Sequence, residues 1–218
     1  MKLKYTLVSD GPTDANLIPI IDWILKNTIE VELSEGVRAE LWRLKIKPEN
    51  LAEKLAKAVE LHPCNVLFVH RDAEKQSHDK RFDEILNAHE EVSHLGNGQW
   101  PTVAVVPVRM LEAWLCFNEL AVRKAAGNPR GKVPLNLPPL KRIEARPDPK
   151  EDLKGALLAA SELKGRRLKK FDESAAFWRI VDFIEDFSPL QQLPAFQRLE
   201  RALLALKKNN WKPGFYRE

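Results

Sequence analysis

Residues 65–70, Asn65-Val66-Leu67-Phe68-Val69-His70, are almost wholly apolar, and they run straight into Arg71-Asp72-Ala73-Glu74. A run this short and this uniformly apolar predicts a central strand of a parallel sheet, covered on both faces by helices. A strand with one wet face would alternate polar and apolar residues instead. A membrane span would need about 18 or more apolar residues in succession, and the chain has no such stretch.

The flanking sequence repeats the pattern. Residues 3–8 predict a first strand that ends on the loop Asp10-Gly11-Pro12-Thr13-Asp14. A helix over about 14–26 follows, with Leu17, Ile20, Ile21, Ile24 and Leu25 on one face. Residues 37–44 alternate at Val37, Ala39 and Leu41 and predict an edge strand. Pro48 opens a helix whose apolar side carries Leu51, Leu55 and Val59. A polar helix over 78–94, closed by Gly96-Asn97-Gly98, leads to a fourth strand over 102–108, and a further helix begins near Met110. Strands and helices alternating at this spacing imply right-handed crossovers within one parallel sheet.

The character changes after Gly127. Pro129, Pro134, Pro138, Pro139, Pro147 and Pro149 predict an ordered but irregular loop over 128–149. From Lys150 onward only helices are expected, over about 150–163, 173–186 and 192–207. Phe171, Phe177, Trp178, Phe183 and Phe187 fall at helical spacings and read as core. The expected organisation is an α/β domain over 1–126, Rossmann-like, with a mostly parallel four-stranded sheet and helices on both faces. A basic Pro-rich loop and helical extension over 127–218 share its core.

At 44% apolar residues the chain can build a proper core. The apolar stretch at the N-terminus is too short for a signal peptide, so a cytoplasmic protein is expected. Cys64 and Cys116, each inside an apolar segment, are expected to be buried free thiols. Charge is uneven. Residues 128–170 hold twelve Lys/Arg against five Asp/Glu, a balance of +7 that leaves −3 for the rest of a chain whose net charge is +4. Such asymmetry points to an anionic partner for the basic half, or to a solvated basic surface.

In an open parallel sheet, ligands sit beyond the C-terminal ends of the strands. Three strand ends are expected to deliver carboxylates to that edge: Asp10 with Asp14, Asp72 with Glu74, and Glu112 beside Arg109. Hard oxygen donors suit Mg²⁺, with Mn²⁺ as a substitute. Carboxylates crowded without a cation would repel one another. Bland roles compete: Asp14 as a helix cap, Glu112 as a complement to a helix dipole, His70 as a hydrogen-bonded structural histidine. Arg71 and Arg109 either pair with these acids or hold a phosphate. Lys75 is placed to stabilise charge in a transition state. His78, His89 and His94 lack zinc-site spacing.

The order strand, Asp10-Gly11-Pro12-Thr13-Asp14, helix, and later strand, Asp72-Ala73-Glu74, resembles the Toprim fold of topoisomerases, primases and nucleases of the overcoming-lysogenisation type. The family pattern is a Glu-Gly pair after the first strand and Asp-x-Asp after a later one. This chain has Asp10 in place of the glutamate and Glu74 in place of the second aspartate. The stretch Val106-Pro107-Val108-Arg109-Met110-Leu111-Glu112-Ala113-Trp114-Leu115 is similar to a segment of bacterial Toprim-like proteins, several of which accompany ATPases in anti-phage defence. The likeness spans roughly residues 1–126. It implies an acid/base or metal-binding role for Asp10 and Mg²⁺ ligation by Asp72 and Glu74; Glu112 joins them by its placement alone. The expected activity is a Mg²⁺-dependent phosphodiesterase or nuclease, in defence or DNA repair. Arg71, Arg109, Arg166, Arg167, Lys169 and Lys170 would hold nucleic acid. The rival is a catalytically degenerate subunit that partners an ATPase.

Overall fold

A computed structural model describes residues 2–94 and 100–217. The loop expected at Gly96-Asn97-Gly98 lies outside the described residues. The chain forms two compact units, Met1–Val106 with Ala195–Glu218, and Pro107–Pro194.

The first unit is built on five parallel strands. They are β1 (Lys2–Val8), β2 (Leu33–Arg38), β3 (Val66–His70), β4 (Pro101–Val105) and β5 (Gly214–Tyr216), in the spatial order β2-β1-β3-β4-β5. The parallel neighbourhood of β1, β3 and β4 is as expected. The sheet has five strands rather than four, and β5 departs from the expectation of helices alone after residue 150. Every residue of β3 and β4 is buried, which explains their continuous apolar sequence. β2 is an edge strand, but it occupies 33–38 rather than 37–44. Leu33 and Val37 are exposed on it, whereas Ala39 and Leu41 leave the sheet and enter the core.

Helices α2 (Leu51–Leu61) and α3 (His78–His94) pack on one face through Leu55, Ala58, Phe82, Ile85, Ala88 and Val92, against Leu67, Val69 and Ala104 of the strands. On the other face lies α1 (Leu17–Asn27), where the Tyr5 hydroxyl donates to the Ile18 carbonyl. Helix α8 (Pro194–Lys208) joins α1 through Thr28 to Glu200 and Lys207 to Glu30. Pro48, expected to open α2, lies just before it, and the helix starts at Leu51 behind the cap Asn50. Asn50 accepts from the Glu53 amide at the start of α2, and Ser77 accepts from the Lys80 amide at the start of α3.

The second unit is helical: α4 (Glu119–Ala125), α5 (Pro149–Ser161), α6 (Gly165–Leu168) and α7 (Glu173–Trp178), with short 3₁₀ turns. The helix expected near Met110 is a 3₁₀ turn, Leu111–Leu115, followed by α4. The Pro-rich segment is irregular apart from one 3₁₀ turn, Leu140–Ala145, and it is tied down where the Lys132 and Val133 amides donate to Glu162. Cys116 is buried here, while Cys64 of the first unit is partly buried; both thiols are free. Among the described residues no helix is long and apolar enough to cross a membrane.

Candidate functional site

The strand order carries a positional consequence. From β1 the sheet grows outward to β2 on one side and to β3, β4 and β5 on the other. The connections that follow β1 and β3 therefore run to opposite sides along the sheet, and the crevice at the carboxyl ends of these two neighbouring strands is where doubly wound sheets bind ligands. The loops at those ends are Ser9–Asn16 and Arg71–Ser77, the segments that hold Asp10, Asp14, Asp72, Glu74 and Lys75.

His70 ends β3 and is 2% exposed. Its Nδ1 lies 3.0 Å from the Val105 carbonyl, which can only accept, so Nδ1 carries a proton. Nε2 then faces two carboxylates, 3.4 Å from Asp72 Oδ1 and 3.9 Å from Asp14 Oδ1. Burial disfavours the charged imidazole, but Asp72 most strongly, then Asp14 and the Val105 carbonyl, outweigh it and hold His70 above its ordinary pKa. Asp14 is itself buried, and its Oδ2 accepts from the Gly11 amide at 2.8 Å. It therefore closes its own loop as well as facing His70.

Asp10 is half-exposed and bound by two cations. Its Oδ1 is 3.2 Å from Lys54 Nζ, and its Oδ2 is 3.2 Å from Arg71 Nε. Arg71 also reaches Glu84 at 2.9 Å, Glu84 takes Arg81 at 2.8 Å, and Arg81 lies 3.4 Å from Glu74. The result is an alternating chain, Lys54–Asp10–Arg71–Glu84–Arg81–Glu74, drawn from α2, both loops and α3. Arg81 is anchored within it, because its Nε donates to the Asp72 carbonyl at 2.9 Å. The like-charge crowding expected of these acids is replaced by alternation, since the two helices supply cations between them.

Glu74 has a left-handed backbone, φ 52°, and its side chain is 65% exposed. Lys75 is exposed in the same turn. Arg109, also left-handed at φ 61°, and the partly buried Glu112 belong to the second unit. So do Arg166 and Arg167 of α6 and the following Lys169 and Lys170, all exposed.

Sequence reasoning missed Lys54, Arg81 and Glu84, and also Arg38. Arg38 at the end of β2 donates to the Gly11 and Pro12 carbonyls, pairs with Glu40 at 3.1 Å and stacks on Trp42 at 4.3 Å, fixing the β1 loop from outside. A signal for the helix residues existed. In a parallel βαβ unit each helix begins at the carboxyl edge of the sheet, so charges in its first turns face the site. Lys54, Arg81 and Glu84 all occupy such positions.

Mg²⁺ suits the donor chemistry of Asp10, Asp72 and Glu74, which is all carboxylate oxygen on two adjacent loops. As the side chains stand, no three His, Cys, Asp or Glu among the described residues are grouped to hold a metal ion. Compared with protein-family models, curated proteins and solved structures, the chain matches none.

Proposed function

We propose that the chain is a Toprim-like, Mg²⁺-dependent phosphodiesterase that acts on nucleic acid. The observation that carries this reading is the convergence of the β1 and β3 loops at the reversal point of the sheet, where Arg71 meets Asp10 and His70 meets both Asp14 and Asp72. Asp10, Asp72 and Glu74 would hold the ion. When bound, Mg²⁺ activates water and neutralises the leaving oxygen. His70 fixes the two aspartates that face it, Arg71 receives a phosphate oxygen, and Lys75 adds positive charge at the rim. Arg166, Arg167, Lys169 and Lys170 hold the nucleic-acid backbone through charge alone. Anti-phage defence or DNA repair beside an ATPase is the setting that the Toprim resemblance implies.

The test is cleavage of single- and double-stranded DNA and RNA in Mg²⁺, Mn²⁺ and EDTA. Wild type should cut in either metal and not in EDTA, and Asp72→Asn should abolish cutting while keeping the fold. Mg²⁺ should also raise the melting temperature of the wild type, because an ion that binds only the folded chain stabilises it.

The second reading, a degenerate partner subunit for an ATPase, is favoured by one observation: Asp10 is already neutralised by Lys54 and Arg71. No cleavage of any substrate in either metal, together with a melting temperature that Mg²⁺ leaves unmoved, would select it.

A further inference from the structure

We propose that Lys54 and Arg71 form a phosphate subsite covered by Asp10, so that a phosphodiester and a divalent cation bind together by exchanging partners. The phosphate takes Lys54 and Arg71, and the cation takes the carboxylate they release. The proposal rests on the phosphodiesterase reading and adds to it Lys54 as the partner of Arg71 on the phosphate, the displacement of Asp10, and the reason both ligands are needed.

Three observations support the exchange. First, the link to be broken is weak. Asp10 is 49% exposed, and its contacts are long: 3.2 Å to Lys54 Nζ, and 3.2 and 3.4 Å to Arg71 Nε and Nη1. Ion pairs so open to water contribute little. A phosphate offers Arg71 the same two-point geometry with more negative charge and shorter, charge-assisted bonds. Second, Arg71 does not depend on Asp10 for its position. Its Nη2 stays on Glu84 at 2.9 Å, and Glu84 is held at 2.8 Å by Arg81, whose Nε is fixed on the Asp72 carbonyl. The cation therefore remains in place when Asp10 turns away, which leaves a preformed subsite. Third, the contacts are mutually exclusive. While Lys54 and Arg71 lie against Asp10, a further cation there is repelled. Once they lie against a phosphate, Asp10 keeps its full charge and its half-exposed side chain can turn to an ion. Two ligands that each remove the obstacle to the other are positively coupled, and the coupling is reciprocal.

Both cations are partly buried, Lys54 at 30% and Arg71 at 20% exposure, neither belongs to the apolar core, and Glu84 keeps Arg81 if Arg71 is removed. Arg71→Gln and Lys54→Gln are therefore expected to fold, which circular dichroism and a thermal melt check.

The experiment is calorimetric titration of the full chain with MgCl₂, with and without a saturating phosphorothioate trinucleotide that resists cleavage. For the wild type, the trinucleotide should tighten Mg²⁺ binding by at least about fivefold, the low end of ordinary coupling between sites. Mg²⁺ should tighten trinucleotide binding by the same factor. Arg71→Gln should bind Mg²⁺ alone more tightly than wild type does, and the trinucleotide should no longer change that affinity. Lys54→Gln should shift both quantities in the same direction by a smaller factor.

A wild-type Mg²⁺ affinity that the trinucleotide leaves unchanged would overturn the exchange while leaving the metal site standing. So would an Arg71→Gln chain that binds Mg²⁺ more weakly than wild type when no trinucleotide is present. If no form of the chain binds Mg²⁺ under either condition, the phosphodiesterase reading fails and the exchange fails with it.

Discussion

A methyl group at position 36 would lie 2.2 Å from Cζ of Tyr5, because the tyrosine ring crosses the edge strand where Gly36 stands. The ring cannot swing aside cheaply. Tyr5 is 1% exposed, packs edge-on against Phe68 at 5.1 Å, and donates its hydroxyl to Ile18 and to Asp22, which Ser34 also binds. Gly36→Ala should therefore destabilise the protein by about 1–3 kcal/mol, the usual cost of overpacking a well-filled site. A thermal melt measures it, and a variant that melts with the wild type would mean that the ring relocates. A second expectation concerns the thiols. Burial, with the Asp152 and Glu112 carboxylates, pushes the Cys116 thiol up to about 12, and burial raises Cys64 as well. Native protein at pH 8 should react slowly with a thiol reagent, and both thiols should react at once in urea. The unfolded thiol ionises near 9 and folded Cys116 near 12, so its contribution is full below pH 9 and is lost as the pH rises between those values. A melting temperature that falls more steeply above pH 9 for wild type than for Cys116→Ala checks the sign. These residue-scale facts were only partly legible. The apolar setting of both cysteines could be read from their neighbours, but nothing near Gly36 announces Tyr5, which lies 31 positions away in sequence.

The helices place their charges by direction of travel. Each crossover leaves a strand at the carboxyl edge and begins its helix there, which is how Lys54 of α2 and both Arg81 and Glu84 of α3 come to face the two site loops. The start of α2 should therefore matter to the site as well as to stability. Asn50 caps it by accepting from the Glu53 amide, while Glu53 accepts from the Glu49 amide. Asn50→Ala should lower stability by about 1 kcal/mol, read as a lower melting temperature, and it should loosen the Lys54 contact to Asp10. An unchanged melt would show that Glu53 alone secures the turn. Element existence was legible wherever the pattern was long or uniform: β3, β4, α1 and α3 follow from their own residues. The edge strand was misplaced, because Ala39 and Leu41 alternate like a strand while serving the core beyond its end. β5 was missed because three residues carry no readable period, and its pairing of Phe215 with Thr102 and Tyr216 with Val103 is a contact across more than a hundred positions.

At the scale of the whole molecule, the two units divide the charge as well as the chain. The second unit carries the basic segment, where Lys164, Arg166, Arg167, Lys169 and Lys170 fall within seven residues and are all exposed. Nucleic-acid binding should weaken steeply with salt, and replacing Arg166, Arg167, Lys169 and Lys170 with Ser should flatten the slope of log affinity against log salt by up to about 3.6 if all four neutralise duplex phosphates. Fluorescence anisotropy across a salt series measures this, and an unchanged slope would mark the segment as solvated surface. The sequence by itself determined the fold class, the parallel sense of its strands and the location of the acid loops, because continuous apolar strands and helical spacing are local properties of the chain. Tertiary structure alone decided the strand order that makes β1 and β3 the reversal point, the fifth strand, and the ion-pair chain from Lys54 to Glu74. Those depend on which distant segments meet, and no local pattern encodes a meeting between a helix at position 54, a loop at 10 and a strand end at 71.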